Sequence, residues 1–418
     1  MQLTKKARAT QAFEEVWTSL FTTPVHLDSA LSKQPVTVKS ILARTIPLIL
    51  ARPVSLAQVM GVGVGPREPW DLTPEQKARW KAAPVLFERL YEMMTGAFPE
   101  LGPVAEEDFP PWMFEAWVRH WGREQALALA QTLATEAPLS LRCNRQVTPA
   151  KLIQEFKSGG DLPVKIEPSR LSPSGVVLKG YVPVMKTERY EEGGYEIQDE
   201  GSQYMSYFSL WPEHYASLLG EHPGAVAPGV VPAALPDRAP AWTVIDACAG
   251  AGGKTLAMAD ALMGRGRVYA YDTAAKKLEA LRRRARRAGV NNTQAVAVER
   301  DGEVAVVKRF AKTADVVLVD APCTGWGVLR RNPDIKWRQE TETLEEMPRI
   351  QSRVLSLYSG LVKSGGRLVF GVCTFRPEET RDIVSAFVEA NPDFKAEQGG
   401  YLGPGPCDGF YMHSFKRS

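Results

Sequence analysis

Trp242-Thr243-Val244-Ile245-Asp246-Ala247-Cys248-Ala249-Gly250-Ala251-Gly252-Gly253-Lys254-Thr255 reads as a buried strand running directly into a glycine-rich turn. The run has no polar alternation, as expected of a strand covered on both faces of a parallel sheet. Its glycines permit positive φ and let backbone approach a ligand closely. Ligands bind at the strand ends of open α/β sheets, so this stretch decides a fold class and a site together.

Similar runs lie at 267–271, about 293–298, 315–320 and 367–372, with helical patterns between them. The alternation predicts a doubly wound, mostly parallel sheet over 242–418. Two of these strands end on thiols: Cys323 in Asp320-Ala321-Pro322-Cys323-Thr324-Gly325, and Cys373 in Val372-Cys373-Thr374. A single strand-end cysteine is ordinarily a small buried hydrophobe. Two beside a cofactor loop point instead to covalent sulfur chemistry.

Gly252-Gly253-Lys254-Thr255 resembles the end of a nucleotide phosphate loop, but the glycine such a loop needs five positions before Gly253 is replaced by Cys248. A cofactor without a triphosphate fits better. Asp272, closing the second strand, is placed to accept from a ribose diol, and Asp301, after the third, could hold an adenine amine. Singly, either aspartate could be turn chemistry; together with the loop they outline a slot shaped for S-adenosylmethionine. A methyl donor needs a nucleophile, and pyrimidine C5 becomes one once a thiolate adds to C6. A free thiol is only a few per cent ionised near neutrality, so the site must favour its thiolate, through Lys254 or an arginine.

With 418 residues, 44% hydrophobic and 24% charged, the chain is a globular protein of several domains. Its net charge of +3 makes nucleic-acid binding a matter of local patches. Five scattered cysteines without a CxxC pair favour reduced thiols. Cys143 and Cys407 read as structural. The start of the chain lacks a signal-peptide apolar core, no run of about 18 apolar residues occurs, and no metal-ligand pattern stands out. A cytoplasmic monomer is expected.

Residues 1–135 read as helical: Phe13, Val16, Trp17 and Leu20 share one helix face, and Thr73-Pro74-Glu75-Gln76 is a helix start. Helices follow from Pro111 and from Arg123 to Leu133, where the helical spacing of Trp112, Trp117 and Trp121 favours core packing over stacking on bases. Residues 136–220 form a small α+β unit, with strands near 140–143, 176–178 and 181–184 around a helix at Pro149–Phe156. Residues 221–241, rich in proline, read as a linker. Residues 242–418 are the catalytic domain. Lys276, Lys277, Arg282, Arg283, Arg284, Arg286 and Arg287 crowd one helix, a pattern that usually marks a solvated face. Arg330, Arg331, Lys336 and Arg338, following Cys323, are better candidates for RNA phosphates.

The motifs resemble the NOL1/NOP2/Sun family of RNA cytosine-C5 methyltransferases. The 246–255 loop is similar to the family's cofactor motif. Asp320 through Arg338 is similar to its second signature, Gly371 through Glu379 to its third, and Asp408-Gly409-Phe410-Tyr411 to its closing strand. Upstream, Pro111–Asn144 and Gln198–Gln203 resemble the family's RNA-recognition-like domain and the segment leading to catalysis; residues 1–105 only loosely resemble a NusB-type RNA-binding domain. The resemblance implies a Rossmann-like S-adenosylmethionine-dependent domain, with Cys373 the nucleophile on C6 and Cys323 assisting product release. It places Asp320 on the cytosine edge and Lys254 at the junction of cofactor and substrate. Ala247, Cys248, Ala249, Gly250, Ala251, Gly252, Gly253, Lys254, Asp272, Lys277, Asp301 and Asp320 would line the cofactor. Three departures stand out: Ala251 replaces a usual proline, Val372-Cys373-Thr374 replaces Thr-Cys-Ser, and 223–240 resembles an insertion. The expected substrate is small-subunit ribosomal RNA. Transfer RNA, DNA-type chemistry using Cys323, and a non-catalytic ribosome-assembly factor are the alternatives.

Overall fold

The computed structural model describes residues 5–22, 27–60, 62, 70–93, 104–158, 165–179, 182–224, 234–236, 239–298, 307–308 and 310–418. It divides the chain into two compact units: Met1–Glu136 with Val328–Thr341, and Ala137–Gly327 with Glu342–Ser418.

The first unit is helical. Helix Lys5–Thr22 buries Phe13, Val16, Trp17 and Leu20 along one stripe, as their spacing predicts. Thr73 caps helix Pro74–Ala78 through a reciprocal pair with Gln76, a capping box. Helices Pro111–Trp121 and Arg123–Leu133 also form. Among the three tryptophans expected in the core, Trp117 is fully buried whereas Trp112 is 38% exposed, because it points away from the stripe of Met113, Phe114 and Trp117.

The segment 328–341, expected within the catalytic domain, instead completes this helical core. Trp337 is buried among Trp17, Phe21, Trp70 and Trp80, with ring centroids 4.8–5.7 Å away, and its Nε1–H donates to Leu50 O at 2.8 Å.

In the second unit, β1 (Leu139–Cys143), β2 (Lys165–Pro168), β3 (Gly175–Lys179) and β4 (Tyr195–Ile197) form an antiparallel sheet in the order β2-β3-β1-β4. Helix Pro149–Ser158 lays Leu152 and Phe156 on the core of this α+β element. The strand expected at 181–184 is not seen: Val184 begins a 3₁₀ turn, Val184–Lys186, and Tyr181 lies outside the described residues. Residues 225–233 and 237–238 of the proline-rich stretch also lie outside them.

The larger sheet has the order β10-β11-β9-β8-β5-β6-β7. Its members are β5 (Thr243–Asp246), β6 (Arg267–Asp272), β7 (Thr293–Ala297), β8 (Ala314–Asp320), β9 (Val362–Val372), β10 (Phe394–Leu402) and β11 (Phe410–Arg417). Neighbours from β9 to β7 pair in parallel, while β11 joins β9, and β10 joins β11, antiparallel. From β5 the chain winds outward through β6 and β7, then returns to β8 on the other side. The loops after β5 and β8 therefore part at the point where winding reverses, which is where such sheets bind ligands. Helices Glu200–Leu210 and Gly253–Ala261 cover one face through Tyr204, Met205, Phe208 and Met258.

Candidate active site

The β5 strand ends at Asp246, which is 1% exposed; Thr255 Oγ1 donates to its Oδ2 at 2.6 Å. Its Oδ1 is buried without a hydrogen-bond partner, and burial pushes the carboxyl pKa up to about 7. The turn then runs through Gly250 (φ 53°) and Gly252 (φ 84°). A Cβ at Gly252 would stand 2.3 Å from Leu281 Cγ, whereas none at Gly250 would meet an atom within 4 Å. Gly252 serves close packing, and Gly250 leaves its backbone open to an incoming molecule.

Asp272 takes Gly250 N–H on one oxygen and Ala274 N–H on the other, each at 2.7 Å. It thus ties the loop after β5 to the end of β6, and each oxygen keeps a lone pair for a further donor. Arg284 fixes the same loop from outside, donating to Ala251 O at 2.6 Å and to Glu196 Oε2 at 2.9 Å. Arg287 also pairs with Glu196, which is almost wholly buried, and stacks its guanidinium 3.8 Å over Tyr190. Two of the seven cations expected on a solvated face are therefore structural. Nothing in the local sequence pairs Glu196 with a helix nearly ninety residues on. Lys277 is exposed near the start of that helix, and Asp301 lies outside the described residues.

Lys254, at the start of helix Gly253–Ala261, reaches Asp320 Oδ2 at the end of β8, 2.7 Å away. Its ammonium lies 5.7 Å from the Phe410 ring centroid. Burial works against the charge, but the Asp320 carboxylate outweighs it and raises the lysine pKa.

The residues after β8 and β9 bring Cys323 Sγ to 3.3 Å from Cys373 Sγ. The sulfur contact, followed by burial, raises the Cys323 pKa well above that of a free thiol. A protonated Cys323 can donate to a thiolate at Cys373. Cys143 and Cys407 are buried away from this pair, and burial pushes the Cys143 thiol up to about 12. Cys248 is half-buried in the loop after β5.

Of the basic residues beyond Cys323, Lys336 requires a correction. Lys336 is 3% exposed; its Nζ donates to Ala51 O and Asp108 O at 2.7 and 2.6 Å, lies 4.1 Å from the Phe109 ring centroid, and is lowered by burial to about 7. A buried amine committed to two carbonyls cannot contact phosphate. Arg338 pairs with Asp334 at 2.7 Å and Arg330 donates to Glu136 O at 2.8 Å, while Arg331 is exposed. All four belong to the helical unit's segment 328–341. Among the described residues there is no cluster of metal-ligating side chains, and no helix is long and apolar enough to cross a membrane.

A doubly wound seven-stranded sheet, with a glycine loop at its switch point and an antiparallel pair closing one edge, defines a Rossmann-like methyltransferase class. Residues 235–404 match the family model described as 16S rRNA methyltransferase RsmB/F. Residues 109–185 match the ferredoxin-like domain of RsmF/B-like methyltransferases. Together these two matches, over 109–185 and 235–404, support the resemblance to the NOL1/NOP2/Sun family. Among curated relatives, a probable ribosomal RNA small subunit methyltransferase B of Synechocystis is 27% identical over 71% of the chain and 60% of its own length. One from Bacillus subtilis is 28% identical over 70% and 58%. The chain thus spans about 60% of the length of these relatives. The crystal structure of PH0851 superposes over 100% of both chains with TM-score 0.71 at 21% identity. A methyltransferase homolog from Pyrococcus horikoshii covers 74% of this chain and 99% of its own, with TM-score 0.56 at 20% identity. These last two likenesses carry the fold.

Proposed function

We propose that this protein methylates C5 of a cytosine in RNA, specifically small-subunit ribosomal RNA, through a transient bond between Cys373 Sγ and pyrimidine C6. The observation that carries the reading is the pair of sulfurs 3.3 Å apart, on strand ends adjoining the loops that present Lys254 and Asp320. The choice of ribosomal RNA follows the relatives from Synechocystis and Bacillus subtilis, each a probable ribosomal RNA small subunit methyltransferase B.

The cofactor is S-adenosylmethionine, which when bound supplies an electrophilic methyl group. The residues fit it: a buried acceptor without a donor at Asp246 Oδ1, an open backbone at Gly250, and unused lone pairs on Asp272. Ala247–Lys254 would form the cradle and Asp272 would take the ribose hydroxyls.

Cys373 adds as a thiolate to C6, breaking the C5–C6 π bond and placing the electron pair where C5 becomes nucleophilic. Asp320 accepts from the exocyclic amine edge while Lys254 holds that carboxylate in place. After C5 gains its methyl group, a base removes the C5 proton, the double bond re-forms and Cys373 leaves as thiolate. Cys323, held protonated, is positioned to return a proton to that sulfur. Both faces of the ring must be accessible, so the target base is unpaired or extruded.

Bisulfite sequencing of total RNA from cells with and without the protein tests the proposal. One protected cytosine in small-subunit ribosomal RNA is expected; loss of protection only in transfer RNA would reassign the substrate. An active C373S with an inactive C323S would overturn the assignment of the nucleophile.

A further inference from the structure

Neither cysteine sets the distance between the two sulfurs by itself. Each sits in a loop, and the loops are joined through one carboxylate. Glu379 closes the 3₁₀ turn Pro377–Glu379 and is wholly buried. Its Oε2 accepts from Thr324 N–H and Gln351 Nε2, each at 2.9 Å. Its Oε1 accepts from Thr324 Oγ1 at 2.6 Å and Arg376 Nη1 at 3.0 Å. Thr324 follows one thiol directly, and Arg376 lies three residues past the other. Gln351 Nε2 also donates to Pro322 O, just before Cys323, at 2.8 Å. The Thr324 and Thr374 hydroxyls meet at 3.1 Å, and Gly327 N–H donates to Cys373 O at 3.0 Å.

A buried carboxylate with four donors is stable only while all four remain in place, so it behaves as a rigid node. Its neighbour Glu378 is exposed, and Arg376 lies over the Trp326 ring at 5.4 Å, which closes the node from the side.

We propose that Glu379 is a positioning residue that fixes Cys323 against Cys373 by clamping the loop of one to the loop of the other. It touches neither sulfur and would touch neither RNA nor cofactor. Its catalytic consequence rests on the covalent mechanism proposed above, whereas the spacing it enforces can be read without that mechanism. Glu379→Gln keeps the volume but substitutes a donor for one acceptor, so at least one of the four inward N–H or O–H groups loses its partner.

Two measurements on the full chain test this. The first is oxidation by diamide, which takes the two thiol hydrogens to become the hydrazine as the sulfurs join. Peptide mass spectrometry follows the bond between positions 323 and 373. E379Q is expected to slow its formation at least tenfold, Thr324→Val to slow it about threefold, and Thr324→Ser to recover the rate. The second is turnover with RNA. E379Q should lower kcat on the order of 10–100-fold, the scale of a reacting group displaced by about an ångström. KM for RNA and cofactor affinity should stay within about threefold, and calorimetry should keep the wild-type cofactor stoichiometry, which a general loss of folded protein would lower. An E379Q protein that folds, cross-links at the wild-type rate and keeps kcat would overturn the proposal. If E379Q fails to fold, Thr324→Val decides: an unchanged oxidation rate overturns it. If wild-type protein traps no adduct on RNA containing 5-fluorocytidine, the covalent mechanism falls, while the oxidation rates still judge the clamp.

Discussion

Truncating Trp337 to alanine should unfold the helical unit well before the rest of the chain. The indole is 2% exposed and packs against four aromatic rings of that unit. Removing a buried tryptophan side chain costs about 3–5 kcal/mol through lost burial and the cavity it leaves. Leu50 O, which accepts the Nε1–H at 2.8 Å, loses its donor and adds about 1 kcal/mol. The sum, about 4–6 kcal/mol, is a large share of the 5–15 kcal/mol that stabilises an ordinary domain. At about 2–4 °C per kcal/mol for a unit of this size, the midpoint should fall by roughly 10–20 °C. Urea and thermal unfolding followed by far-ultraviolet circular dichroism would register this as an early helical transition in W337A. W337F, which keeps a ring but loses the donor, should fall between wild type and W337A. A W337A shift below about 1 kcal/mol would refute the view that segment 328–341 is a core element of the helical unit.

In RNA carrying 5-fluorocytidine, C373S should form no covalent adduct, whereas C323S should accumulate one; denaturing gels read both. Arg284→Ala frees the Ala251 carbonyl and should weaken S-adenosylmethionine binding about fivefold by calorimetry, a loss of about 1 kcal/mol after discounting the arginine's partial exposure. Glu200, 2% exposed and bonded to Ser169 Oγ, is raised by burial from 4.5 to about 7. Between those values the folded state binds more protons than the unfolded state. The stabilisation this group gives is therefore complete below about pH 4.5 and is lost as pH rises to 7. Glu200→Gln should flatten the unfolding free energy across that window by up to ~3 kcal/mol relative to wild type, measured by urea titration at successive pH values.

The catalytic sheet was legible because its strands are short apolar runs ending on glycine, aspartate or cysteine, and period and punctuation are local properties. The pairing of Cys323 with Cys373 was suggested by their shared position at strand ends, since parallel neighbours bring such ends together. Strand β10 was missed because Phe394–Leu402 is polar and exposed along most of its length, as suits an edge. Lys336 misled for a different reason. A lysine between apolar residues after a catalytic motif looks like a phosphate ligand, and only the fold reveals carbonyls from residues 51 and 108 waiting for it. Glu379 shows the same blindness: in Glu378-Glu379 nothing local separates the exposed carboxylate from the buried one.

The excursion of residues 328–341 into the helical unit makes that unit discontinuous in the chain. Expressed alone, residues 1–136 would present an empty socket lined with indole and phenyl rings, prone to self-association. A polypeptide trimmed to begin at 137 would carry the matching plug as a greasy loose flap between Cys323 and Cys373. Dissection experiments should therefore graft the plug onto the helical piece, and any lineage that discards the helices must rewrite these fourteen residues as well.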